Sequence, residues 1–332
     1  MKKAHRFSII LLAFAVWVGV SLACGSATPT SELPKISTAT SELGVTQPPA
    51  DTPTTEAPAV ELYLGDAIQN YGYALTALSV ADPATPGMLY QAETGKKLVA
   101  VEVIISNVSG DVLGVNALNA TLLDNDGFVY QAELGGVDDQ IGTLDLNPGE
   151  QVRGWISFKI SENATAAKIK YSTETFVSKF LQASLTPPPG GHTQIALSLT
   201  PTIPSSKLGD VVEQFGYSLS ATNVEDPTSP GILYSPIQGY KLVAVEITLG
   251  NVSGAKSLSV NPLYAYLVDS NGFVYWAELG GRDSQIDTMD LNVGEKAKGW
   301  VSFTIPDSAT PAYIKDQTEV FSSNYLITGL AK

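Results

Sequence analysis

The chain has 332 residues, and 19 Lys and Arg against 33 Asp and Glu give a formal net charge of −14. A balance this acidic repels phosphate backbones and anionic surfaces, which excludes nucleic acid as an expected partner. A single cysteine excludes an intramolecular disulfide, so stability must come from packed cores.

Residues 1–23 read as a signal peptide. Lys2, Lys3 and Arg6 precede an uncharged apolar run from Phe7 to Val20, and small residues follow. The run is shorter than the roughly 20 residues of a membrane span. Cys24 comes next, placed like the acylated cysteine of a bacterial lipobox, although Ser21 stands where an aliphatic residue is usual. The expectation is a lipid on Cys24 and a protein held at the outer face of the cell membrane. Simple secretion and a retained anchor helix are the alternatives. Without residues 1–23 the chain has 16 basic and 33 acidic residues, a net charge of −17.

Residues 24–61 are rich in Ser, Thr and Pro and have almost no large apolar side chains. Such a segment cannot bury enough surface to offset its ordering entropy, so it reads as a tether. A Pro-rich linker over 186–206 follows the same reasoning and separates two copies of one domain, 62–185 and 207–332. GFVYQAELGGVDDQI from Gly127 returns as GFVYWAELGGRDSQI from Gly272, with 12 of 15 positions identical. The offset is 144 residues at first and 145 after one inserted residue between Gly254 and Val260. A period this long marks duplicated domains rather than a solenoid.

Within each copy the apolar pattern has period two, which argues strands. Val99, Val101, Val103 and Ile105 share a face, as do Val243, Val245, Ile247 and Leu249. Glu102 and Glu246 fall on the other face, toward water or a cation. Asp124-Asn125-Asp126-Gly127 and Asp269-Ser270-Asn271-Gly272 are hairpin turns, because Asp-Gly and Asn-Gly tolerate positive φ. On a later strand Phe158 and Phe303 face the core. Trp155 and Trp300 face away, which requires a covering loop, a bulge at the neighbouring Gly, or exposure. The expected fold is all-β: two tandem immunoglobulin-like β-sandwiches, each with its own core and able to fold alone.

The ordered motifs are a Gly-Tyr strand, GKKLVAVEV, Asn-Val-Ser, Asp-x-Asp/Asn-Gly-x-x-Tyr, Asn-Pro-Gly-Glu and Gly-Trp-x-x-Phe-x-Ile. Together they resemble the bacterial family called domain of unknown function 4352, related to the mycobacterial immunoprotective secreted antigen. The resemblance covers both repeats and neither linker; the second copy departs from it where Pro148 becomes Val293. It implies an immunoglobulin-like sandwich in an exported, often lipoprotein-borne module, and it brings no catalytic residue.

Neither repeat contains His or Cys; His5 and His192 lie in the signal segment and the linker. That removes Ser-His-Asp and Cys-His nucleophiles and the usual zinc ligands, and no cofactor is expected. Carboxylates remain. Asp124, Asp126, Glu133, Asp138 and Asp139 form a weak candidate Ca²⁺ set, and two of them spaced across a sugar would suit glycan chemistry. The AELGG loop is the main candidate patch. Glu133 and Asp138 recur as Glu278 and Asp283, joined in the second copy by Trp276 and Arg282, with Trp276 expected to be partly accessible beside Glu278 and Arg282. The resulting expectation is a non-enzymatic binding or adhesion module for an envelope glycan or surface protein. A structural spacer is the alternative, and a Ca²⁺-dependent or carboxylate-based glycan-active protein comes third.

Overall fold

A computed structural model describes residues 62–332, apart from 175–177, 233, 236, 320 and 321. The signal segment, Cys24 and the tether lie outside the described residues. Among the described residues no helix is long and apolar enough to cross a membrane.

Each repeat is a sandwich of two four-stranded sheets. In the first, β1 (Ala67–Asn70), β2 (Tyr73–Ala81) and β3 (Lys96–Asn107) run in order. Next come the short β4 (Leu113–Val115), then β5 (Ala120–Asp124), β6 (Val129–Glu133) and the short β7 (Leu144–Leu146). The long β8 (Gln151–Ser161), β9 (Ala166–Ser172) and β10 (Phe180–Ser184) complete it. One sheet is β1-β2-β3-β8, the other β6-β5-β9-β10, and Ala132 and Glu133 of β6 also pair with β8.

The second repeat repeats this plan. Its elements are β11 (Val212–Gln214), β12 (Tyr217–Glu225), β13 (Tyr240–Asn251), β14 (Leu258–Val260) and β15 (Ala265–Asp269). They continue with β16 (Val274–Trp276), β17 (Met289–Leu291), β18 (Lys296–Pro306), β19 (Pro311–Gln317) and β20 (Tyr325–Gly329). The sheets are β11-β12-β13-β18 and β16-β15-β19-β20. Every extended ladder joins strands of the same repeat.

The alternation sets the cores. Val99, Val101, Val103 and Ile105 on β3, and Phe158 on β8, are fully enclosed, as are Val243, Val245, Ile247 and Phe303. β8 and β18 run without a bulge, so Trp155 and Trp300 do face away from the core. Loops cover them instead. Residues 139–141 and 284–286 bond along these strands at Trp155 and Trp300. Register shifts lie elsewhere, on β2 and β12 at Ala77/Ser79 and Ala221/Asn223, and at Leu123/Asp124 and Val268/Asp269. The cation facing Glu102 is Arg153, at 2.8 Å, and the one facing Glu246 is Lys298, at 3.2 Å. The inserted residue lengthens one turn: Asn107 Nδ2 donates to Asp111 O, whereas Asn251 Nδ2 reaches Lys256 O.

Segment 186–206 does more than connect. Ile195 N and the His192 ring bind the buried Asp66 carboxylate, and Ser206 Oγ accepts from Gly329 N. The start and end of each sandwich lie side by side. Leu64 N donates to Thr186 O, and Leu208 N donates to Ala331 O, both at 2.8 Å.

Candidate functional site

The repeated AELGG loop is pinned from inside. Gln140 Nε2 donates to Glu133 O and Ser157 Oγ to the same carbonyl; Gln285 and Ser302 do the same at Glu278 O. Gly136 and Gly281 pack so closely on Ser157 and Ser302 that a side chain would collide there. A second loop docks on this one, with Gly87 N donating to Gly136 O and Gly231 N to Gly281 O. The Asp138 carboxylate accepts from Met88 N at 3.0 Å. The recurrence of Gly136 and Gln140 therefore has a structural cause.

The leucine between them does not. Leu134 is 74% exposed and Leu279 58%. The docked loop adds Met88 and Leu89, 70% and 67% exposed, and Ile232, 94% exposed in the second copy. Each repeat thus carries an aliphatic crest on a hydrogen-bonded base. Sequence reasoning found the loop but not these residues, because the partner loop is about fifty positions away.

The other candidate residues scatter. Arg282 stacks on Trp300, its guanidinium carbon 3.9 Å from the ring centroid, and binds Glu225 at 2.8 Å. It replaces Val137, which packs in the first copy against the same buried Ala84, Leu98 and Ala100 as Trp155. Arg282 therefore covers a tryptophan of its own sandwich and does not complete a patch with Trp276. Asp283 is exposed.

Asp124 is a turn-capping group, accepting from Asp126 N, Phe128 N and Tyr130 Oη. Burial pushes its carboxyl up, but these bonds outweigh burial and hold it below the usual range. Asp269 keeps the same partners yet ends above the usual range, because burial wins there. The cover is the first repeat, whose Gly149 and Glu150 lie on the Gly272 turn. Asp126, Asp138 and Asp139 are exposed, Glu133 is partly so, and no three His, Cys, Asp or Glu gather at a metal-binding distance among the described residues.

Trp276 lies in the seam between the repeats. It is half-buried, packs with the first repeat's core and has its indole against Gly142. Beside it Lys315 Nζ donates to Glu150 Oε2 at 2.5 Å and to Asp145 O at 2.8 Å, and Tyr313 Oη donates to Glu150 Oε1 at 2.7 Å. Gln151 N donates to Gly272 O, and Gln151 Nε2 to Asn271 O. Lys315 and Glu150 are both sealed from solvent. Burial pulls the Lys315 amine down, opposed by the Glu150 charge.

A family model described as Domain of unknown function (DUF4352) matches residues 62–180 and 206–326, one sandwich each. The chain belongs to that family. Among solved structures it is similar to ycdA, a candidate lipoprotein of Bacillus subtilis, at 14% identity and TM-score 0.31; the match covers 36% of this chain and 38% of that one. It is similar to the secreted protein MPT63 of Mycobacterium tuberculosis at 16% identity and TM-score 0.30, over 37% and 94% of the two chains. A β-sandwich protein of Clostridium difficile matches at 16% identity and TM-score 0.25, over 38% and 95%. No curated protein matches the sequence.

Proposed function

We propose that the protein is a non-catalytic binding module at the outer face of the cell membrane, held by a lipid on Cys24, and that the AELGG crests are its contact surfaces. The observation carrying this reading is the exposure of Leu134 and Leu279 on loops that Gln140 and Gln285 hold from inside. Exposed aliphatic side chains fixed on a rigid base are the usual form of a recognition surface. The most exposed crest side chains are aliphatic, which favours a surface protein over a glycan as the ligand. The acidic field selects a partner with neutral or basic surroundings.

The test is chemical crosslinking on intact cells, comparing the wild type with Leu134→Ser/Leu279→Ser. The variant is expected to keep its fold and lose its specific adducts. An unchanged adduct pattern would remove the crest from consideration. Mass spectrometry of the mature N-terminus tests the anchor separately: an unmodified Cys24 would contradict lipidation and leave the crest untouched.

A further inference from the structure

The seam joins two different surfaces: the outer face of the β16-β15-β19-β20 sheet of the second repeat, and the Asn-Pro-Gly-Glu end of the first. Duplication gives each repeat both surfaces, so one of each stays unused. The first repeat's own face, with Val129 and Phe180, is 56% and 45% exposed at those two residues. The second repeat's own end, with Glu295, is also exposed.

The unused surfaces have changed in step. Where Lys315 and Tyr313 meet Glu150 in the seam, the free surfaces carry Lys170 and Lys168 opposite the position of Glu295. Where Gln151 meets Asn271, they carry Lys296 and Asp126. Where Gly142 receives the Trp276 ring, they carry Asp287 and Gln131. The first exchange keeps a Lys opposite a Glu and adds Lys168 in place of Tyr313, the second turns a neutral match into an opposite-charge pair, and the third turns an apolar contact into a polar one.

We infer that a second copy of this chain docks there, the end of one copy's second repeat on the outer face of the next copy's first repeat, in the geometry of the internal seam. Such a contact is heterologous, so it propagates head to tail rather than closing as a two-fold dimer. Three aromatic residues of the seam, Tyr266, Trp276 and Tyr313, become Thr121, Gln131 and Lys168 on the free face. The contact between chains is accordingly weaker than the seam, reversible and salt-sensitive. Copies concentrated on one membrane by a shared anchor meet the demand for high local concentration.

The experiment is sedimentation velocity on the chain from residue 24 onward, with Cys24→Ser so that no lipid contributes. The sedimentation coefficient is expected to climb with protein concentration at low salt and to fall back in high salt. Lys170→Glu and Glu295→Lys are each expected to abolish the climb, and mixing the two variants to restore it. Glu295 also closes its own turn through Asn292 N, so Asp126→Lys and Lys296→Asp repeat the test away from that turn. A monomer at every concentration overturns the proposal. So does association that ignores both pairs of charge reversals, or a mixture that stays monomeric.

Discussion

Lys315 and Glu150, 165 residues apart in the chain, form an ion pair with neither side chain exposed to solvent. Glu150 also closes its own turn by accepting from Asn147 N and Nδ2, so one carboxylate serves a local turn and the junction of two domains. Removing one partner of such a pair strands a buried charge, at a typical cost of about 3–5 kcal/mol. Lys315→Met is therefore expected to lower the urea midpoint strongly, and adding Glu150→Gln to recover a large part of the loss. Equal midpoints for wild type and Lys315→Met would show that the pair contributes nothing.

Trp276→Gln installs the first repeat's own residue at the matching position. Because the ring rests on Gly142, the change is expected to destabilise the seam. The cost should stay below the roughly 3–5 kcal/mol of a fully enclosed aromatic. Its emission should lie between those of buried and free indole, with moderate acrylamide quenching. Full quenching would place the ring outside the seam.

The strands, the hairpin turns and the enclosed Phe158 and Phe303 were all legible in the sequence, because period-two burial and Asp-Gly or Asn-Gly turns are local signals. The seam was not. Nothing local distinguishes Lys315, which is sealed, from Lys170, which is half-exposed; only the docking of a second domain separates them. Trp276 and Arg282 are six residues apart, yet one serves the seam and the other covers Trp300. Val137 to Arg282 exchanges an apolar contact for a cation stacked on Trp300, a meaning visible only once that ring is placed.

Core energetics give a simpler expectation. Phe158 and Phe303 are wholly enclosed, and Phe→Ala at such sites typically costs about 3–5 kcal/mol. Chemical denaturation of either variant should show a large fall in midpoint. An unmoved midpoint for Phe303→Ala would mean that β18 presents its other face to the core.

Asp316 gives the pH dependence. It occupies the place of Tyr171, and its Oδ2 has no hydrogen-bond partner among the described residues. Burial pushes its carboxyl up to about 7. The folded state thus keeps a proton that the unfolded chain releases near pH ~4. Its stabilising contribution is complete below that value and is lost as pH rises to about 7. Acidification from about pH 7.5 to about 5 should stabilise the protein by on the order of 2–3 kcal/mol. Asp269, also held high, adds to this with the same sign. The carboxyls held low, Asp66, Asp124 and Glu246, act only below their ordinary values. Asp316→Asn should flatten most of the slope in thermal melts, and a slope unchanged by that substitution would assign it to another group.

The adjacency of Leu64 to Thr186, and of Leu208 to Ala331, bears on reach. The main chain enters and leaves each sandwich at the same end, so each domain adds bulk to the chain path and almost no end-to-end span. A molecule shaped to hold something at a distance separates its ends; these domains bring theirs together.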